Sequence, residues 1–249
     1  MAVFDPRPAL IGHRGLGKGV VHGHEENTLG SFLRAIEIGL TWVEVDVRRT
    51  ADDTLVVTHQ PAYTDGVFLA DLTETEAKRR GTLLLGELLD ALPAEIGVDL
   101  DLKSCVEDAA RSRLATTAAV LAPVATREFG YRPLIVTSFD PAALAVLRDL
   151  AADVPLGLLT WIDFPVGHAV AAAAHLDVQL LAVHCGSLEP NRFEGEVQQR
   201  PLDYIVDHVH AAGREFLGWC PQPDQGRELI TAGADAICIN DVPTTVGAV

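Results

Sequence analysis

Lysine is nearly missing from this 249-residue chain, which has only Lys18, Lys78 and Lys103. With arginine included, 19 basic residues face 35 acidic ones, for a formal net charge of −16. A chain so acidic repels phosphate backbones and anionic lipid, which argues against nucleic acid as a partner. Scarcity also gives each lysine weight: Lys103 ends an apolar, strand-like run and needs a reason that a solvated lysine does not. Cysteine is sparse as well. Cys105, Cys185, Cys220 and Cys238 show no C-x-x-C spacing, so neither a zinc knuckle nor a disulfide scaffold is expected, and they read as buried free thiols of a reducing compartment. Long apolar runs are absent too; none approaches the ~20 residues of a membrane span. The opening "MAVFDPRPALIGHRG" has no charged segment followed by a long apolar one. These absences predict no membrane span and a cytoplasmic location.

The chain does have apolar content, 48% of it, enough for a full core. That content and the length suit one domain over residues 1–249. Eight short apolar runs recur: 9–13, 42–48, 97–103, 134–139, 156–161, 179–184, 215–220 and 236–240. Helical patterns separate them. Leu29, Phe32, Leu33, Ile36 and Leu40 step by three and four after an Asn27-Thr28 cap signal; further helices are expected over 84–92, 106–129, 141–152, 165–176, 201–213 and 224–234. Strands alternating with helices make a parallel sheet with crossover connections. Eight of them in this length predict an α/β fold closed as a (β/α)₈ TIM barrel. The open doubly wound alternative is weakened by "GHRGLGKG", whose glycines lack G-x-G-x-x-G spacing. Between Thr50 and Leu83 a second extended piece, "TLVVTH", and an irregular polar stretch predict a short insertion after the second strand.

Function in such a barrel sits at the C-terminal ends of the strands. The ends here offer His13 and Arg14, Glu44 and Asp46, Asp101 and Lys103, then Ser138, Trp161, His184, Trp219 and Asn240. Glu44 and Asp46 stand at i and i+2, on one side of a strand, about 6.5 Å apart at Cα. Val43, Val45 and Val47 take the other side. If the valines lie under helices, the acids face the interior, where they repel unless a cation neutralises them; oxygen ligands select a hard ion, Mg²⁺ or Ca²⁺. "VDLDLK" repeats the pattern with Asp99, Asp101 and Lys103, and Asp101, nearer the strand end, is the expected third ligand. The competing reading of "VEVDV" is half of an antiparallel hairpin with its acids in water.

His13 and His59 follow apolar strands and suit a general acid and base pair. His168, His175, His208 and His210 fall in helical patterns and read as structural or surface groups. Arg14 offers a planar fork for a phosphate and Lys103 a point charge for the same anion, or an ion pair with Asp101 or Asp99.

The segments "IGHRG" (11–15), "ENTLGSFLRAIEIG" (26–39), "VEVDVRRTADDTLVVTH" (43–59), "LDLK" (100–103), "LIVTSFDPAALAVL" (134–147) and "LGWCPQPDQGRELITAGADAICINDVP" (217–243), taken in order, resemble the glycerophosphodiester phosphodiesterase family. The resemblance implies a barrel of the phosphatidylinositol phospholipase C type that hydrolyses small-molecule glycerophosphodiesters to glycerol 3-phosphate and an alcohol with one divalent cation. By position it implies a catalytic pair at His13 and His59, metal carboxylates at Glu44, Asp46 and Asp101, phosphate contacts at Arg14 and Lys103, and a pocket aromatic at Trp219. Three positions depart from the family pattern: Asp101 stands for the usual Glu, Gln60 for an Asp, and Glu25 for a Pro in a longer loop. Glu26 is a candidate supplementary metal residue, or one that supports the ligands from behind. Two alternatives remain at this level. One is a lysophospholipase D, for which Val67, Phe68 and Leu69 of "DGVFLADLT" would line an acyl channel; the other is a barrel that binds phosphodiesters or metal without turnover.

Overall fold

The computed structural model describes residues 2–189 and 200–246. Numbering only the barrel strands, β1 is Ala9–Gly12, β2 Trp42–Arg49, β3 Gly97–Leu102, β4 Leu134–Ser138, β5 Leu156–Thr160, β6 Leu180–His184, β7 Glu215–Trp219 and β8 Ala236–Ile239. Each pairs in parallel with the next, and β8 returns to β1 with Ile11 opposite Cys238 and Gly12 opposite Ile239. The sheet is therefore a closed (β/α)₈ barrel, and every expected strand is in it.

Closure explains the composition of the strands. Val43, Val45 and Val47 pack outward into the main core with Val98, Leu100 and Val136, beneath helices that contribute Leu88, Leu121 and Leu147. The inward positions form a second cluster, with Phe4, Trp42, Ile135, Leu180 and Leu217 filling the N-terminal half of the barrel. Both faces of the strands are covered, so they read as continuous apolar runs except where an inward position is charged.

The helix α1 spans Leu29–Glu37; Thr28 caps it, its side chain accepting from Ser31 N at 3.3 Å. Phe32 and Ala35 are buried, whereas Leu33, expected in the core, is 36% exposed. The helix α2 is Leu85–Ala91. The long helix expected over 106–129 is shorter: two 3₁₀ turns, Val106–Ala110 and Arg113–Ala115, precede α3 at Thr117–Phe129. The cause is Asp108, whose carboxylate accepts from Cys105 N, Thr117 N and Thr117 Oγ1 and so satisfies the donors that a continuous helix would have used. After these come α4 at Pro141–Leu150, α5 at Val166–His175, α6 at Leu202–Ala211, α7 at Pro223–Thr231 and α8 at Val242–Val246. None of the described helices is long and apolar enough to cross a membrane.

The insertion after β2 is more regular than its polar sequence implies. Leu55–Val57 pairs antiparallel with the end of β2, Val47 opposite Val57, and with a short strand at Leu83–Leu84. Between them Glu74–Arg79 forms a helix that opens on a capping box of Thr73 and Glu76. The hairpin reading of β2 thus holds only beyond Asp46; from Trp42 to Val47 the strand lies between β1 and β3 in the barrel wall.

Candidate active site

Register brings the acids together. Glu44 lies opposite Asp99 and Asp46 opposite Asp101 across the β2–β3 pair, so the upper interior holds two layers of carboxylates. Glu44, Asp46 and Asp101 are 4%, 0% and 7% exposed, and one carboxylate oxygen from each lies within 4.8 Å of the others. Two oxygens on one ion at 2.0–2.6 Å stand no more than about 4–5 Å apart, so the three fit a single hard cation. Glu44 Oε1 and Asp101 Oδ1 are buried without a hydrogen-bond partner in the protein, and Asp46 Oδ1 meets only the Lys103 ammonium, at 3.0 Å. Buried oxygens are rarely left so unless something else binds them. Three carboxylates also outnumber the two cations set against them, Arg14 and Lys103.

Those cations are fixed by the acids. Lys103 Nζ bonds Asp101 Oδ2 and lies 3.0 Å from Asp46 Oδ1, so it is an ion-pair partner first. Arg14 has φ of 56°, a left-handed conformation uncommon for an arginine. In it the backbone N–H donates to Glu44 Oε2 at 2.8 Å, Nε lies 3.2 Å from Asp46 Oδ2, and Nη1 bonds Glu26 Oε1 at 2.7 Å. Gly15, with φ of 95°, continues this turn, where a Cβ would lie 2.7 Å from Ser31 Oγ. Glu26 bonds Arg14 and Gly19 N outside the three-carboxylate group, so of its two expected roles it takes the supporting one, through Arg14, and not that of a supplementary ligand. Asn27, also left-handed, sends Nδ2 to Asp46 Oδ2 at 2.8 Å; the sequence marks it as a helix-cap residue and gives no sign of this contact.

The charges follow from this wiring. Burial pushes Asp46 up, but Lys103 and Arg14 overcome it and hold the carboxyl at about 2. Burial, together with the Asp46 and Asp101 charges, drives Glu44 well above its ordinary value. Burial raises Asp101 to about 6 against the pull of Lys103. Lys103 is raised by Asp101, Asp46 and Glu44 despite burial, and stays charged.

Both candidate histidines lie beside this group. Burial, assisted by Arg14, pushes His13 down to about 4; its Nε2 is 3.8 Å from Glu44 Oε2. His59, on the loop after the inserted strand, is lowered mainly by burial, and its Nδ1 has no protein partner. Two anchors hold that loop: Thr58 N donates to Asp46 O at 3.1 Å, and Arg48 Nε donates to His59 O at 2.9 Å. Arg48 was not singled out from sequence, and its spacing gives no sign of this contact.

His13, Arg14, Glu44, His59, Asp101 and Lys103 line one pocket, whose opposite wall is apolar: Phe139, Leu159, Trp161, Leu217 and Trp219. Phe139 stacks on Trp161 at 3.9 Å between centroids, and Trp219 Nε1 is buried without a protein partner. Val67, Phe68 and Leu69 do not line it; Leu69 packs with Val56 and Ala77 in a separate small core. The structure therefore corrects the alternative of an acyl channel: Leu69 is buried in the insertion's own core, while Phe68, 53% exposed, lies outside the pocket. Of the thiols, Cys185 and Cys238 are buried, while Cys105 and Cys220 are only partly so.

Comparison with known proteins points one way. Residues 13–244 match the model of the glycerophosphoryl diester phosphodiesterase family. A glycerophosphodiester phosphodiesterase of Caldanaerobacter subterraneus subsp. tengcongensis is 26% identical over 254 residues, covering 96% of this chain and 97% of its own. A glycerophosphodiester phosphodiesterase structure from Parabacteroides distasonis superposes with a TM-score of 0.77 at 23% identity, over 96% of this chain and 95% of that one. A phosphodiesterase from Oleispira antarctica, solved with its product sn-glycerol 3-phosphate, superposes with a TM-score of 0.76 at 20% identity, over 100% of this chain and 99% of that one.

Proposed function

Since the chain belongs to the glycerophosphoryl diester phosphodiesterase family, we propose that it is a divalent-cation-dependent enzyme hydrolysing glycerophosphodiesters to glycerol 3-phosphate and an alcohol. The observation that carries this reading is the cluster of buried carboxylates Glu44, Asp46 and Asp101, with free oxygens on Glu44 and Asp101, beside a pocket that His13 and His59 also line. A bound Mg²⁺ or Ca²⁺ would supply electrostatic stabilisation of the phosphate oxygens there.

The chain's own groups supply the rest. Arg14 and Lys103 oppose the negative charge that grows at phosphorus, from positions that Glu26, Asp46 and Asp101 already fix. Such preorganisation avoids reorienting dipoles during the reaction. Proton transfer needs one imidazole of the His13–His59 pair neutral, to take the proton of the attacking hydroxyl, and the other already protonated, to give its proton to the leaving alkoxide; the proton gained by the first then resets the pair. The new P–O bond forms as the P–O bond to the alcohol breaks, and both nucleophiles, water and the substrate's own glycerol hydroxyl, satisfy this proton balance. The apolar wall of Phe139, Trp161 and Trp219 faces the carboxylates across the pocket and suits the carbon skeleton of the substrate.

Release of glycerol 3-phosphate from glycerophosphocholine, with and without a chelator, tests the proposal. Cation-dependent release is expected; no release with either Mg²⁺ or Ca²⁺ across several headgroups would leave a binding barrel as the better reading. Running the acylated analogue in parallel separates a lysophospholipase D.

A further inference from the structure

Asn240 has no part in the reaction as described, yet it makes the shortest hydrogen bond to His13. Its Oδ1 lies 2.5 Å from His13 Nδ1, and the Cys220 thiol donates to the same oxygen at 3.2 Å. At the other ring nitrogen, Arg14 Nε donates to His13 Nε2 at 3.2 Å. A guanidinium has donors and no acceptor, so Nε2 must offer its lone pair. A neutral imidazole then carries its hydrogen on Nδ1, and Asn240 Oδ1 is the acceptor. Contacts at both nitrogens agree on one tautomer. The amide oxygen has two lone pairs, enough for the imidazole and the thiol together.

The pairing is built into the closure of the barrel. His13 N donates to Ile239 O at 3.1 Å, and Lys18 N to Asn240 O at 2.9 Å, so the ends of β1 and β8 are stitched on either side of the contact. Gly17 permits the second stitch: a Cβ there would lie 2.0 Å from Asn240 O. Cys220 is held in turn by its N–H to Cys238 O at 2.9 Å. Three backbone bonds thus aim one side-chain oxygen at one ring nitrogen, more anchoring than packing alone requires.

We propose that Asn240 is a positioning residue that holds His13 in the Nδ1–H tautomer and so keeps Nε2, on the side of Arg14 and Glu44, without a hydrogen and able to accept a proton. This rests on the reading of His13 as a proton-transfer group. An amide does this without adding a further charge to an already acidic interior, where a carboxylate at the same place would.

Two variants test it, Asn240→Leu, which removes the acceptor, and Asn240→Asp, which keeps it. The first readout is the ¹⁵N spectrum of the imidazoles in the full-length chain at neutral pH, with the His13 signals assigned by their loss in His13→Gln. Wild type and Asn240→Asp are expected to show His13 protonated on Nδ1, and Asn240→Leu to lose that single tautomer. The second readout is glycerophosphocholine hydrolysis: Asn240→Leu is expected to lower kcat by about 10–100-fold with KM nearly unchanged, and Asn240→Asp to restore most of it. An Nε2–H tautomer in wild type, an unchanged tautomer in Asn240→Leu, or unchanged kcat in that variant overturns the proposal. If Asn240→Leu fails to fold, the wild-type and Asn240→Asp spectra still decide. A wild type without turnover defeats the functional reading instead, because the spectrum reads the tautomer regardless of activity.

Discussion

At the N-terminal end of the barrel Arg7 reaches Glu215 at 2.5 Å and Asp235 at 2.6 Å, and at the C-terminal end Arg14 lies against Glu44, Asp46 and Glu26. The ingredients are alike, but their completion differs. Glu215 also accepts from Val3 N and Phe4 N, and Asp235 from Phe216 N and His210, so the carboxylates at the closed end are fully engaged. Phe4, wholly buried, meets Trp42 edge to face at 5.0 Å and plugs the interior above them. At the open end Glu44 Oε1, Asp101 Oδ1, His59 Nδ1 and Trp219 Nε1 remain without partners. A buried polar group left unpaired costs about 1–3 kcal/mol, so stability alone would not keep four of them in one pocket. The contrast separates groups that hold the barrel from groups kept for a ligand.

Breaking the open end should cost function and spare the fold. Glu44→Gln replaces a carboxyl that burial already drives toward its protonated form. It should reduce turnover at least about 10³-fold and leave the melting temperature of the metal-free protein unchanged or higher. A parallel fall in stability and activity would place Glu44 with the structural acids. Calorimetry on the same pair sharpens the point. Mg²⁺ or Ca²⁺ at a hundred times its dissociation constant should stabilise wild type by about 2.7 kcal/mol. Glu44→Gln should gain much less, and equal gains would move the cation away from these carboxylates.

Breaking the closed end should do the reverse. Arg7→Leu strands Glu215 and Asp235, and its expected cost is about 2 kcal/mol in urea unfolding, less than for a fully buried pair because the Arg7 side chain is 42% exposed. Below its unfolding temperature the variant should retain wild-type kcat. A loss of kcat without a loss of stability would show that the two ends are coupled.

How far each end could be read from the sequence follows from the range of the signal. The barrel strands were legible because each is covered on both faces and bounded by turns, and the inward placement of Glu44, Asp46 and Asp101 was legible because period two puts alternate residues on one side. The N-terminal half of the helix expected over 106–129 was not, because Asp108 satisfies Cys105 and Thr117 through contacts that composition does not encode. The helix Glu74–Arg79 was hidden by its polarity, and its signature lay in the Thr73–Glu76 capping box instead. Asn27 and Asn240 acquire their partners only when β1 meets β2 and β8, and Arg48 only when the inserted strand folds back on β2. Neutral amides at such joins look like ordinary loop residues until the barrel closes, and Arg7 likewise shows its purpose only beside β7 and β8.

His184 gives the smallest effect and the finest division between the two kinds of group. It stands at the open end, like His59, and burial lowers both. Unlike His59, its Nδ1 is occupied, accepting from Gly186 N at 2.9 Å to cap a 3₁₀ turn, while its ring meets Trp219 at 4.4 Å. It therefore behaves as a closed-end group displaced to the open end, and its neutral form supports the fold. The sign follows: the unfolded chain binds a proton below about 6.5 while the folded protein resists it, so this contribution is complete above that pH and declines as pH falls. His184→Asn keeps an acceptor that cannot take up a charge. Wild type should lose more stability than the variant between pH 7.5 and 5.5, by less than about 1 kcal/mol because the ring is only partly buried. A pH-independent difference, or one of opposite sign, would remove His184 from the structural set and leave its lowered basicity to be explained by the pocket it borders.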